Sequence, residues 1–291
     1  MGFLDRCMSD VPLSTLSTFG IGGRAKWLFR AERAEDLQDA LRFVMREHYP
    51  FLVVGRGSNC LFPDEGFSGL VIHNRVETLK DVGDGCFEVS GGYSFPALGV
   101  KTAREGWGGL EFAGGIPGSV GGAVFMNAGA NQQQIADTVA WVDYVDEAGD
   151  IIRLKREGLA FAYRSSSFQG RRGVIAAVGV QLKRDEGAAF RQQEMVAYRK
   201  KTQPYHDRSA GCVFRNPAGA SAGRLIEEVG LKGKRIGGAE VSPVHANFIV
   251  NREKATAHDV IALMNHVRDV VAQRKGVWLE SEIRCIASTV E

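Results

Sequence analysis

The sequence predicts an α+β fold on three observations. An amphipathic helix and short strands open the chain, a glycine-broken β-rich stretch fills residues 86–184, and a compact mixture of helices and strands closes it. With 291 residues the chain can bury a large core and divide into more than one domain. We place the boundaries at 1–74, 75–203 and 204–291.

Leu37, Ala40, Leu41, Val44 and Met45 recur at helical spacing, which predicts an amphipathic helix over 34–48. Phe51-Leu52-Val53-Val54 follows as a buried strand, and Leu70-Val71-Ile72 as the next. Phe87-Glu88-Val89, Val139–Val145 and Val174–Leu182 are short apolar runs between glycines, the pattern of antiparallel strands. Residues 187–206 are polar and basic, with Arg199-Lys200-Lys201, and read as a helix end or connector. Ser221 caps a helix carrying Leu225, Ile226 and Val229 that stops at Gly230. Thr256-Ala257-His258-Asp259 opens another as a capping box. Val260, Leu263, Met264, Val267 and Val271 form its buried face, and Lys275-Gly276 ends it. Residues 277–286 alternate as a last strand, with Val277, Leu279, Ile283 and Cys285 toward the core and Glu280, Glu282 and Arg284 on the other face.

The charge is nearly balanced at +2, which argues against nucleic acid or an anionic membrane as partner. The start MGFLDRCMSDV lacks the apolar run of a signal peptide and no segment has transmembrane length, so we expect a cytoplasmic protein. Five scattered cysteines without a CxxC read as reduced thiols, most of them small core residues. No His, Cys, Asp and Glu grouping has metal-ligand spacing, so no metal is expected.

Two glycine-rich loops stand out. Gly55-Arg56-Gly57-Ser58-Asn59 follows a strand but puts Cys60 where a Rossmann fingerprint needs its third glycine. Residues 114–129 hold six glycines and Pro117, a composition that exposes backbone N–H groups to a phosphate and equally builds tight turns. As a pair they suit a dinucleotide held in a non-Rossmann fold.

Six motifs, in order, resemble those of the UDP-N-acetylenolpyruvoylglucosamine reductase family. They are Ser17-Thr18-Phe19-Gly20-Ile21-Gly22-Gly23, Val54–Asn59, Gly114–Gly129, Ala162-Tyr163-Arg164-Ser165-Ser166, Ala210–Pro217 and Leu279-Glu280-Ser281-Glu282-Ile283-Arg284, and they span nearly the whole chain. The resemblance implies an FAD-binding N-terminal region of the p-cresol methylhydroxylase/vanillyl-alcohol oxidase type, made of two α/β subdomains, followed by a C-terminal α/β substrate domain. It implies non-covalent FAD, NADPH as co-substrate and a UDP-sugar substrate whose enolpyruvyl group is reduced to a lactyl ether. Hydride goes to the enolpyruvyl methylene carbon, and a proton to the neighbouring carbon. We expect a monomer.

The resemblance also assigns residues. Gly55, Arg56, Gly57, Ser58 and Asn59, with Gly115, Pro117, Gly118, Ser119, Gly121, Gly122 and Asn127, become the FAD cradle. Arg164 holds the substrate carboxylate as charge develops on it, a task suited to a guanidinium fork. Glu282 helps to stabilise the intermediate. Cys212 occupies the position where many relatives carry the proton-donating serine. A thiol, with its ordinary pKa of about 8.5, is a far better acid than an aliphatic hydroxyl. Tyr163 and Asn216 are expected at the UDP-sugar, and Lys200 or Lys201 at its diphosphate. A role for His245 and Asn247, at a strand entry, stays open. Only about fifty residues separate Tyr163-Arg164 from Gly211-Cys212, too few for the tyrosine-bearing capping loop of some relatives, so the chain resembles the subclass without it. Another FAD-dependent oxidase or dehydrogenase of the same fold would keep the glycine loops without needing Cys212, Asn216 and Glu282 together.

Overall fold

The computed structural model describes residues 2–289, which divide into two units, each discontinuous in sequence. The first comprises the chain up to Ser9, Trp27–Arg56 and Gly69–Tyr198; the second comprises Asp10–Lys26, Gly57–Ser68 and the chain from Arg199 onward. Each contains both helix and sheet, as the α+β reading requires.

In the first unit, helix α1 (Ala34–Arg46) buries Leu37, Ala40, Leu41 and Val44. They pack with Leu70, Ile72, Val145, Val174 and Ala176. Each leucine, isoleucine or valine among them contributes roughly 1.5–3 kcal/mol when taken from water, which favours the helix over its exposed alternatives. Phe51–Val54 pairs in parallel with the Leu70–His73 part of the next strand. The glycine-broken middle forms a five-stranded antiparallel sheet ordered Ile151–Lys155, Val139–Val145, Val174–Gln181, Cys86–Ser90, Leu79–Gly83. Helices α2 (Phe95–Arg104) and α3 (Val120–Phe125) contribute Phe95, Leu98, Val120 and Val124 to the core that this sheet lines.

The expected connector at 187–206 is instead a full helix, α4 (Ala188–Thr202). It has no apolar stripe, but it is rich in Ala, Arg, Gln, Glu, Met and Lys, all strong helix formers. It is pinned by Arg191, which reaches the buried Glu111 carboxylate at 2.7 Å. Burial would raise the pKa of Glu111, but hydrogen bonds from Arg191 and from the Gly109 N–H outweigh it and hold the group below its ordinary value.

In the second unit, α5 (Ala222–Glu228) and α6 (Ala257–Lys275) pack with a three-stranded antiparallel sheet of Arg235–Ile236, Ala239–Val241 and Ile249–Asn251. The capping box forms as predicted: Thr256 accepts from the Asp259 N–H and Asp259 from the Thr256 N–H. Asp64 accepts from the next two orphan amides, Ala257 and His258. Gly276, at φ +66°, ends the helix.

The last strand is shorter than expected. Only Arg284–Cys285 forms a ladder, parallel to Cys60–Leu61, because the segment changes partner after Ser281 pairs with Phe214. Leu279 and Ile283 are buried, but Cys285 is exposed. Four of the five cysteines are half-buried at strand ends and loop edges, Cys7 packs against the first unit's core, and Cys285 is exposed, so the thiols border the cores and do not fill them. Among the described residues, no helix is long and apolar enough to cross a membrane, and no group of three His, Cys, Asp or Glu side chains could hold a metal ion.

Candidate active site

The two glycine loops touch within the first unit. A Cβ on Gly55 would collide with the Ser119 side chain, so only glycine permits that crossing. Ser119 Oγ in turn accepts from the Gly122 N–H at 3.3 Å and caps α3. The long tract is less of an open amide nest than its composition suggests. Val120 and Gly121 donate to the carbonyls of Tyr93 and Gly91 at 2.9 and 2.8 Å, and the Gly118 carbonyl accepts from Phe95 at 3.0 Å. Gly115 is buried at the end of a 3₁₀ turn, while Pro117 and Gly122 are exposed.

Beside Gly55 lies a residue that sequence reasoning missed. His73, opposite Val54 in the parallel pair, is buried, and its Nδ1 has no hydrogen-bond partner among the described residues. Burial, then Arg75 and Arg30, push its pKa down to about 4, so the imidazole is neutral. The one signal for it in the sequence is a polar residue ending the buried run Leu70-Val71-Ile72. Arg56 and Arg75 share Glu77 at 3.1 and 3.2 Å. A glycine crossing, a neutral imidazole with a spare nitrogen and a group of arginines fit a dinucleotide, which carries both sugar hydroxyls and phosphates.

Arg164 also belongs to the first unit. It sits in the two-residue turn between Phe161–Ala162 and Ser165–Ser166, in the left-handed region at φ +53°. Such a conformation is strained for a bulky side chain and occurs where surrounding contacts enforce it. Those contacts come from the end of the glycine tract. Asn127 Nδ2 donates to the Ala162 carbonyl at 2.8 Å and to Gln134 Oε1 at 2.7 Å, and its Oδ1 accepts from the Ala136 N–H. Ser166 Oγ donates to the Phe125 carbonyl at 2.7 Å, and Gln169 reaches the Arg164 carbonyl at 3.1 Å. Asn127, expected in the cofactor cradle, thus has its amide committed to protein. Tyr163 is exposed, its ring 4.9 Å from the Arg164 guanidinium carbon.

In the second unit, Gly57, at φ +58°, presses against the Leu16 carbonyl where no Cβ would fit. Ser58 is half-buried. Asn59 Nδ2 donates to the Glu282 carbonyl at 3.3 Å, and the Arg284 N–H to the Asn59 carbonyl at 3.0 Å. The expected cofactor loop and the segment bearing Glu282 are therefore tied together.

Cys212, half-buried, follows Gly211 at φ +78°. The Glu282 N–H donates to the Val213 carbonyl at 2.7 Å, and the Arg215 N–H to the Glu280 carbonyl at 2.9 Å, so the Cys212 and Glu282 segments lie side by side. On the other edge the Val213 N–H donates to the Asn247 carbonyl at 2.8 Å. Asn216 Oδ1 accepts from the Ala222 N–H at 3.0 Å and caps α5. Lys200 and Lys201 are exposed at the end of α4, whereas Arg199 is half-buried and turns its Nε inward. Within the basic triplet, Arg199 is the inward cation, and its charge helps to lower the pKa of His245, after the larger effect of burial. Between Arg164 and Gly211 the chain forms the Val174–Gln181 strand and α4, and no separate capping loop.

Comparison with known proteins accords with both halves. The family model described as an FAD binding domain matches residues 25–155, and that of the UDP-N-acetylenolpyruvoylglucosamine reductase C-terminal domain matches 203–286. The reductase of Protochlamydia amoebophila is 52% identical over 274 residues, covering 94% of this chain and 92% of that protein. The Chlamydia pneumoniae reductase is 44% identical, covering 95% and 91%. The crystal structure of the Thermus caldophilus reductase superposes with a TM-score of 0.83 at 38% identity, covering 96% of this chain and 98% of that one. The chain belongs to the UDP-N-acetylenolpyruvoylglucosamine reductase family.

Proposed function

We propose that this chain is an FAD-dependent oxidoreductase that reduces the enolpyruvyl ether of UDP-N-acetylglucosamine to UDP-N-acetylmuramate, with NADPH as electron source, in peptidoglycan precursor synthesis. The observation that carries this reading is the side-by-side pairing of the Cys212 and Glu282 segments, fixed by the 2.7 Å bond from the Glu282 N–H to the Val213 carbonyl. A proton donor and a carboxylate thereby lie on two adjacent, hydrogen-bonded segments.

FAD, when bound, relays two electrons from the nicotinamide to the substrate double bond. The chain's own residues bind, orient and move the proton. Gly55, Arg56, Ser119 and the neutral His73 suit the cofactor's phosphates and sugars. Arg164 binds the substrate carboxylate and offsets the negative charge that grows there, an interaction strongest at the transition state. The Cys212 thiol gives its proton to the carbon next to that carboxylate, and Glu282 orients the reacting group. Tyr163, Asn216 and the basic end of α4, through Arg199 more than Lys200, suit the UDP-sugar and its diphosphate. We place the protein in the cytoplasm as a monomer.

An anaerobic flavin spectrum tests the assignment. NADPH should bleach the bound flavin, and UDP-N-acetylglucosamine enolpyruvate should restore its colour. Bleaching without recolouring would remove the substrate from the proposal.

A further inference from the structure

We infer that Asn247 is a positioning residue that fixes where the Cys212 thiol stands; the inference rests on the reading of Cys212 as proton donor. The segment from Cys212 to Arg215 lies between two neighbours. Toward residues 280–282 its main chain pairs as a short antiparallel ladder, through the Val213 carbonyl and the Arg215 N–H. Toward 246–248 the pairing begins with Cys212 opposite Phe248 and the Val213 N–H on the Asn247 carbonyl. One residue later no main-chain partner is supplied, because the neighbour folds back at His245, whose carbonyl accepts from Phe248 at 3.0 Å.

The Phe214 N–H and C=O, both on that side, would be left as buried orphans, which costs roughly 1–3 kcal/mol each. Asn247 supplies both partners with its side chain. Its Oδ1 accepts from the Phe214 N–H at 3.0 Å, and its Nδ2 donates to the Phe214 carbonyl at 2.8 Å. A carboxamide carries the same donor and acceptor pair as a peptide group, so here one side chain stands in for the missing strand residue. Asn247 is only 3% exposed, and its own N–H is held by His245 Nδ1 at 3.2 Å. No other residue type of that size presents donor and acceptor on one planar end. Aspartate keeps only acceptors, and leucine keeps neither function.

The chemical consequence falls on Cys212, two residues from the clamp and preceded by Gly211 in the left-handed region. The thiol has a glycine in the left-handed region on one side and the Asn247 clamp on the other. Proton transfer needs hydrogen-bond reach, and a displacement of about 1 Å costs on the order of a hundredfold.

The test is a double-mutant cycle on the flavin-loaded enzyme, read separately for bleaching by NADPH and recolouring by substrate. Asn247→Leu and Asn247→Asp should each slow recolouring about 10- to 100-fold while bleaching keeps its rate, and the solvent deuterium isotope effect on recolouring should rise. In a Cys212→Ala background the same changes should cost less than about threefold, because a residue acting through the thiol has nothing left to position. Undiminished losses in that background would overturn the inference, as would slowed bleaching, which marks a general defect of the fold. If Cys212→Ala itself leaves recolouring intact, the reading of Cys212 has failed instead. Should Asn247→Leu not fold, Asn247→Asp and Asn247→Gln, which keep the acceptor, carry the same cycle.

Discussion

Two buried asparagines, one in each unit, do related jobs by different means. Asn127 and Asn247, 1% and 3% exposed, each spend a whole carboxamide on neighbouring backbone or side chain near a residue proposed for catalysis. Asn127 grips one flank of a tight turn and holds Arg164 at a φ that its side chain disfavours. Asn247 satisfies the main chain of Phe214 and so holds the segment that follows Cys212. The first anchor sustains strain; the second prevents slack. A long cation on a turn tip needs its backbone forced, whereas a short thiol needs its strand only to stay in place.

The largest expected effect comes from removing what the first anchor presents. Arg164→Met should lower the recolouring rate by about 10²–10³-fold, the range for losing one charge-stabilising donor, while NADPH bleaching stays within a few-fold. Equal losses in both half-reactions would place Arg164 outside substrate chemistry. Next in size is Asn127→Ala. It leaves the Ala162 carbonyl and the Ala136 N–H without their partner, so unfolding free energy should fall by about 2–3 kcal/mol, measured by urea titration of the flavin-loaded protein. Recolouring should slow as well, because the Arg164 turn is no longer enforced. A stability loss with unchanged recolouring would show that the turn holds itself, and the parallel with Asn247 would break.

The sequence singles out both asparagines but not what their carboxamides bind. The capped helix at 257–275, the antiparallel middle and the α1 stripe were legible because periodicity and capping are local. The residue types at Arg164, Cys212 and Glu282 were legible through the motifs around them. The resemblance places Asn127 in the cofactor cradle, but its partners Gln134, Ala136 and Ala162 are set by where two separate segments meet and have no signal in the sequence. His73 reads as the tail of a strand until the parallel pairing brings it beside Gly55. Helix α4 reads only as a helix end or connector because it has no apolar stripe, and its anchor, Arg191 on Glu111, joins residues eighty positions apart.

Acid should separate the two anchors. The Asn127 carboxamide has no titratable partner among its hydrogen bonds, but the Asn247 N–H is accepted by His245 Nδ1. The pKa of His245 is lowered, chiefly by burial, with Lys232 and Arg199 adding to the shift and Glu227 opposing it. A histidine held below its unfolded value of about 6.5 contributes its full stability above that pH and loses it as pH falls toward the folded value. His73 follows the same sign, with its window running from about 6.5 down to about 4. Global stability should therefore decline below about pH 6.5. Amide exchange, corrected for its intrinsic pH dependence, should show Val213 and Phe214 losing protection while Ala136 keeps it. Loss at all three together would mean that His73 dominates and that His245 does not guard the Asn247 clamp.

The smallest effect discriminates most finely between strain and slack. At φ +53° a non-glycine residue costs about 1 kcal/mol relative to glycine, so Arg164→Gly should leave the protein as stable as before or raise its stability by up to about 1 kcal/mol. Recolouring should nevertheless fall as far as in Arg164→Met, since the guanidinium is gone in both. The opposite holds at the second anchor, where Asn247 satisfies two buried main-chain groups and its replacement should lower stability and turnover together. If Arg164→Gly is instead less stable than Arg164→Met, the arginine stem and its contact with Tyr163 hold the turn more than Asn127 does. The left-handed turn would then be a product of side-chain packing, not strain imposed by the buried amide.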